Sequence, residues 1–141
     1  MSACLLSDLR LLPDEYGWVA TVPAAFGTFQ DVPIHISIHT RSNPNDAPPP
    51  CPSDTELSLA SKVLGALDSV LHESIMRFSK YSDTHDPDAQ HHVSNPHIWI
   101  DREFIEMGTR WAFVVERDDA PDFGYHVEFD GVTCLGIWAG D

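Results

Sequence analysis

A capping box followed by one long apolar stripe limits this chain more than any other feature. In Ser53-Asp54-Thr55-Glu56 the serine hydroxyl can accept from the Glu56 amide while the Glu56 carboxylate reaches back to the Ser53 amide. Behind it Leu57, Ala60, Leu64, Leu67, Leu71, Ile75 and Phe78 recur at helical spacing, and Val63 and Val70 widen the stripe. Glu73 and Arg77 form a correctly oriented i,i+4 pair on the same segment. The pattern predicts one helix from Asp54 to about Lys80, roughly 40 Å long. A stripe that wide needs a sheet to lie across, so the rest of the chain must supply strands.

The rest reads that way. Leu5 to Leu12 is predicted as a first strand, stopped by Pro13, and Trp18 to Val22 as a second, ended by Pro23. From Val32 to His39 the isoleucines at 34, 36 and 38 alternate with polar residues at period two, which buries one face and leaves His35 and His39 on the other. Four more strands are predicted at His97–Ile105, Thr109–Glu116, Gly124–Phe129 and Val132–Trp138. Asp130-Gly131 joins the last two as a two-residue turn. That turn would pair Phe129 with Val132, Val127 with Cys134 and Tyr125 with Gly136, placing His126 and Glu128 on the face away from the core. Strands around a single helix predict an α+β domain: an antiparallel sheet with one long amphipathic helix packed on one face.

Residues 1–141 are expected to form a single domain, with a proline-rich connector at 41–52 and a His/Asp-rich loop at 82–97. Composition supports a folded chain: 43% of residues are hydrophobic, too many for a disordered acidic tail. Charge then decides which partners are allowed. Lys+Arg number 8 against 22 Asp+Glu, a formal net charge of −14, which repels nucleic-acid phosphates and anionic lipid and attracts basic proteins. No apolar stretch reaches the ~20 residues of a membrane helix. Cys4, Cys51 and Cys134 are too scattered for a disulfide framework or a zinc ribbon, and no signal peptide is read at the N-terminus. A cytoplasmic location is expected.

Catalytic motifs are missing. There is no G-x-S-x-G elbow, no phosphate-cradling glycine loop and no H-E-x-x-H, so the chain reads more as a binder than as an enzyme. His85, His91, His92 and His97 are the metal candidates, because imidazoles beside Asp83, Asp86 and Asp88 suit Zn²⁺ or another transition metal. Their spacing matches no established site, and a solvated polar loop explains them as well. His35 and His39 would stand about 13 Å apart, too far to share one ion. Asp101 and Glu103 would share a strand face, as two surface acids on an acidic protein do. Asp118, Asp119 and Asp122 form an acidic turn before the last hairpin and, with His126 and Glu128, are the candidate contacts for a basic partner. The tryptophans at 18, 99, 111 and 138 are expected in or beside the core; two exposed together would mark a binding face.

The segment Gly124-Tyr-His-Val-Glu-Phe-Asp-Gly-Val-Thr-Cys-Leu-Gly-Ile-Trp138, followed by Asp141, resembles the closing hairpin of a group of small uncharacterised bacterial α+β domains. Where that group often has Glu-His-Gly ahead of the hairpin, this chain has Asp122-Phe123-Gly124. The group includes immunity-type proteins, which neutralise a cognate toxin. What the resemblance implies is an inhibitor-like binding module with no catalytic residues and no cofactor.

Three readings follow from the sequence. The first is an acidic protein-binding module that engages a basic protein. The second is a metal-dependent enzyme or metal-binding protein built on the 83–97 loop. The third is a structural domain that self-associates, for example as a homodimer.

Overall fold

The structure is a computed structural model that describes residues 4–41, 48–104, 109–120 and 122–140. It is an α+β fold with nine strands and two helices among those residues. The strands are β1 (Leu12–Pro13), β2 (Gly17–Thr21), β3 (Thr28–Phe29), β4 (Val32–Pro33), β5 (His35–His39), β6 (Val93–Asp101), β7 (Arg110–Arg117), β8 (Gly124–Asp130) and β9 (Thr133–Gly140). The helices are α1 (Asp54–Gly65) and α2 (Leu67–His85). Seven strands form one sheet in the order β1-β2-β5-β6-β7-β8-β9, and β3 and β4 make a small separate pair.

The expected antiparallel sheet is mixed. Every neighbouring pair in it is antiparallel except β5 and β6, which run parallel with His35 opposite His97 and His39 opposite Asp101. The cause is the connection. A parallel neighbour requires a long crossover, and the two helices between β5 and β6 provide it.

The expected single helix is two. The capping box forms as read, with Ser53 Oγ accepting from the Glu56 amide at 3.2 Å and Glu56 Oε1 accepting from the Ser53 amide at 2.7 Å. The helix stops at Gly65, a poor helix former, and Ala66 leaves helical geometry at φ −113°, ψ 22°. The buried stripe keeps its helical period across the break. Leu59, Ala60, Val63, Leu64, Leu67, Val70, Leu71 and Phe78 are buried, but Ile75 is exposed and Ser74 and Ser82 take the inward positions. Their hydroxyls are tolerated there because Ser74 donates to the Val70 carbonyl at 2.7 Å and Ser82 to the Asp86 carbonyl at 2.9 Å.

That stripe packs on one face of the sheet. Ile34, Ile36 and Ile38 are fully buried, as the alternation requires, and they join Ile98, Ile100, Phe113, Val115, Tyr125, Val127 and Phe129 in one core with the helix residues. Phe78 meets both Phe29 and Tyr125 edge-on, with ring centroids 5.7 and 5.3 Å apart. Beyond the core, Arg117 ties the end of α2 to the sheet, donating to Asp86 at 2.7 Å and to the Tyr125 hydroxyl at 3.2 Å.

Glu56 has a second role. Its carboxylate is buried and accepts from Arg102 Nε at 3.1 Å and Nη2 at 2.7 Å. Burial raises its pKa, but the hydrogen bonds from Arg102 and Ser53 outweigh that and hold it below the usual carboxylate range. Arg102 also donates to the Cys51 carbonyl at 3.0 Å, and Trp18 donates to the Pro50 carbonyl at 2.9 Å. The described part of the proline-rich connector is thus pinned between the helix start and the sheet; residues 42–47 lie outside the described residues.

Other boundaries differ from expectation for local reasons. The predicted strand at Leu5–Leu12 is a short 3-10 turn at Leu6–Asp8, because Asp8 accepts from the Leu5 amide at 2.9 Å and closes it. The predicted loop at 82–97 is the last turn of α2, a 3-10 turn at Ala89–His91 and the start of β6. Pro87 and Pro96 hid this, and Pro96 sits in β6 at a register shift between Ser94 and His97. β6 ends at Asp101, so Glu103 lies in the following turn, and Ile105 lies outside the described residues.

The last hairpin keeps its faces on β8 and changes its register. Asp130 pairs with Thr133 and Phe129 with Cys134, so Gly131 (φ +62°) and Val132 form the turn. A bulge follows, after which Glu128 pairs with Gly136, Val127 with Ile137 and His126 with Trp138. The extra residue, Leu135, shifts the phase so that Ile137 and Ala139 pack toward the core and Trp138 turns to the other side. Among the described residues no helix is long and apolar enough to cross a membrane.

Candidate functional site

The helices cover one face of the sheet, and the alternation that buries the isoleucines delivers polar and aromatic residues to the other. His35, Ser37 and His39 point there from β5, and His97, Trp99 and Asp101 from β6. The pairing aligns His35, His97, Val114, His126 and Trp138 in one row across five strands. The next row runs Ser37, Trp99, Ala112, Glu128, Gly136. Small residues in mid-sheet and large ones around them leave a depression of about 1070 Å³.

Aromatic rings wall it. Trp138 stacks flat on His126 with centroids 3.9 Å apart and planes 7° apart, and Trp99 meets the same imidazole at 6.4 Å. Tyr16 stacks on His39 at 5.7 Å, and Phe104 lies against Trp99 at 5.3 Å. The charge lining is one-sided: among the described residues Asp14, Asp101, Glu103, Glu116, Asp122 and Glu128 stand against Arg110 alone of the Lys and Arg side chains. Glu116 accepts from the Asn95 side chain, whereas Glu128 is exposed.

The histidines are ordered but incompletely bonded. His97 donates Nδ1–H to the Asn95 carbonyl at 2.7 Å, which leaves its Nε2 as an acceptor. Trp99 Nε1 donates to His39 Nδ1 at 3.3 Å, and Asp101 Oδ2 lies 3.8 Å from that nitrogen. His35 Nδ1 and both ring nitrogens of His126 are buried without a hydrogen-bond partner among the described residues. Burial pushes the pKa of His97 and of His126 down; the Asn95 carbonyl and Glu116 pull His97 upward, and the nearby Gly140 backbone, too poorly aligned for a regular hydrogen bond, with Glu128 and Glu116 pulls His126 upward, without reversing it.

A stability consequence follows. Both imidazoles bind protons more readily in the unfolded chain than in the fold, so their contribution is complete above the unfolded histidine pKa of about 6.5 and is lost as pH falls below it. The urea midpoint should be lower at about pH 5.5 than at about pH 7.5, ahead of any carboxylate titration. A midpoint that stays constant between those two values would contradict the burial assigned to His97 and His126.

The predicted sites are redistributed by the fold. Of the partner candidates, Asp122, His126 and Glu128 line the depression. Asp118 and Asp119 stand apart with His92, at 3.3 and 3.9 Å from its Nδ1. Asp119 is already committed to Arg117 by two hydrogen bonds, at 2.6 and 2.8 Å, which hold its carboxyl at about 2. The metal candidates do not gather into one site. His85 stacks on Tyr81 at 4.6 Å at the end of α2, His91 is exposed on its 3-10 turn, His92 faces Asp118, and His97 lies on the floor of the depression. One helix end, one turn and one strand present them in different directions, and His92 with Asp118 and Asp119 is the only trio of candidate ligands that converges among the described residues.

Trp138 is exposed and Trp99 half-buried, both lining the depression, so the two do not make the fully exposed pair expected of a binding face; Trp111 is buried and donates to the Gly131 carbonyl at 2.6 Å. The alternation His97-Ile98-Trp99-Ile100-Asp101 is the sequence signal that could have found the β6 contribution. Trp138 was a candidate as a tryptophan, but its face depends on the bulge, which no local signal announces. No family model, no curated protein and no solved structure matches this chain.

Proposed function

We propose that the protein is a binding module whose open sheet face receives cationic groups of a basic partner protein. The observation that supports this reading is the lining of the depression, where six carboxylates and one guanidinium stand among exposed indole, phenol and phenyl rings. Carboxylates attract lysine and arginine from a distance, and ring faces hold the same cations at contact. The net charge of −14 extends the attraction beyond the depression and favours fast, salt-sensitive association. Neutralisation of a basic toxin, the role implied by the resemblance of the last hairpin, is one form this binding would take. Asp122, His126 and Glu128 belong to the contact surface, together with Glu116, Trp99 and Trp138.

Hexa-arginine titrated into the protein should change tryptophan emission, and the affinity should fall steeply as salt rises from about 50 to about 500 mM. Glu116→Gln combined with Glu128→Gln should weaken it about tenfold. Binding unaffected by both changes would remove the reading. The unpartnered nitrogens of His35 and His126 favour a second reading, a small polar ligand that completes their hydrogen bonds. A response to small polar solutes with none to hexa-arginine would select it.

A further inference from the structure

β9 closes one edge of the sheet, and it carries neither a charge nor a proline to guard it. Its sequence, Thr133-Cys-Leu-Gly-Ile-Trp-Ala-Gly140, has neither a charged residue nor a proline, in a chain with 22 Asp+Glu and 11 Pro. Soluble proteins blunt such edges with lysine, proline or very short strands, because the outer row of N–H and C=O groups accepts another strand. The opposite edge follows that rule: β1 is two residues long and includes Pro13. On β9 the bulge at Leu135 interrupts the edge, and the five residues from Gly136 (φ +143°) to Gly140 stay paired with β8 beyond it. Among the described residues nothing pairs with their outer side.

Resting on the cation-binding reading above, we infer that the partner enters as an extended strand added to the outer edge of β9, with cationic side chains at every second residue facing the depression. The glycine at 136 supplies the geometry. Gly136 pairs with Glu128, and no atom lies within 4 Å of where a Cβ on Gly136 would stand. A residue added opposite Gly136 meets no Gly136 side chain between itself and the exposed Glu128, two strand spacings or roughly 10 Å away, which a lysine or arginine and a glutamate span together. Two residues along, the added strand lies opposite Trp138, whose indole lies on the cleft side for a second cation. The residues between would face the helix side, where half-buried Ile137 and Ala139 offer apolar contact. Backbone hydrogen bonds supply affinity and the alternating pockets supply specificity.

The test uses the full chain and a labelled peptide of about twelve residues that alternates lysine and valine. It is compared with a block-ordered isomer of the same composition and with two versions N-methylated on every lysine or on every valine. Binding is read by fluorescence anisotropy and the protein's mass by sedimentation. The alternating peptide should bind about tenfold tighter than its isomer, and N-methylation in one frame should cost about tenfold more than in the other. Equal affinity for all four peptides, still weakened by Glu116→Gln with Glu128→Gln, would overturn strand addition and leave the cation reading standing. No binding of any peptide would overturn both. A protein dimer that the alternating peptide fails to dissociate would show the edge filled by a second copy and would overturn the assignment of β9 to a partner.

Discussion

Gly17→Ala should be severely destabilising, costing about 4 kcal/mol or more and leaving little folded protein. A Cβ at that position would stand 2.0 Å from the Ile38 carbonyl oxygen and 2.9 Å from the Thr40 amide nitrogen, both backbone atoms. No side chain can rotate to make room, so β2 would have to part from β5. The loss reaches the depression directly, since Tyr16 next in the chain accepts from the Thr40 amide at 2.9 Å and stacks on His39. Gly65→Ala is the matched control, because a Cβ there meets nothing within 4 Å at the end of α1. Urea titrations of the two variants check the contrast: Gly65→Ala should leave the midpoint unchanged or raised, and a wild-type midpoint for Gly17→Ala would refute the close approach.

Arg102→Ala should also be costly, at about 2–3 kcal/mol, or roughly 8 °C in melting temperature. The substitution leaves the Glu56 carboxylate buried at 1% exposure with its main positive partner gone. The cost stays below that of a fully buried pair because the Arg102 side chain is 40% exposed and already shares its charge with water. Adding Glu56→Gln should recover part of the loss, since a neutral amide can still accept from the Ser53 amide without a stranded charge. Calorimetry on the single and double variants separates the two effects. A double variant no better than Arg102→Ala would mean that the guanidinium acts through the Cys51 carbonyl instead.

Glu56 also shows how far the sequence could be read. Its capping role is local, three residues from Ser53, and was legible; its bond to Arg102 spans 46 residues and was not. The same division runs through the whole fold. Period-two alternation found Ile34, Ile36 and Ile38 and placed His35 and His39 on the opposite face. It also placed His126 and Glu128 away from the core. What joins those two pairs of residues is strand order, and nothing local states that β5 lies beside β6 after the long crossover. The bulge at Leu135 is a small shift of phase that changes which side chains face inward while leaving composition and spacing almost as they were, and it brought Trp138 out beside His126. Ile75 stands at the margin of the helix stripe, where Ser74 takes the inward position, and apolar spacing alone did not separate the two. The histidine-rich stretch misled for the opposite reason, because neighbours in sequence at 91, 92 and 97 are presented in separate places by a turn and a strand.

The parallel seam between β5 and β6 has one more consequence. The depression straddles it, with Tyr16, His35 and His39 on the N-terminal side and Trp99, His126 and Trp138 on the C-terminal side. Neither half of the chain holds the depression alone, so nicking or loosening the seam would divide its lining between two pieces. A ligand that touches both banks acts as a clasp, adding its own binding free energy to the cohesion of the two halves in proportion to the logarithm of its concentration over Kd.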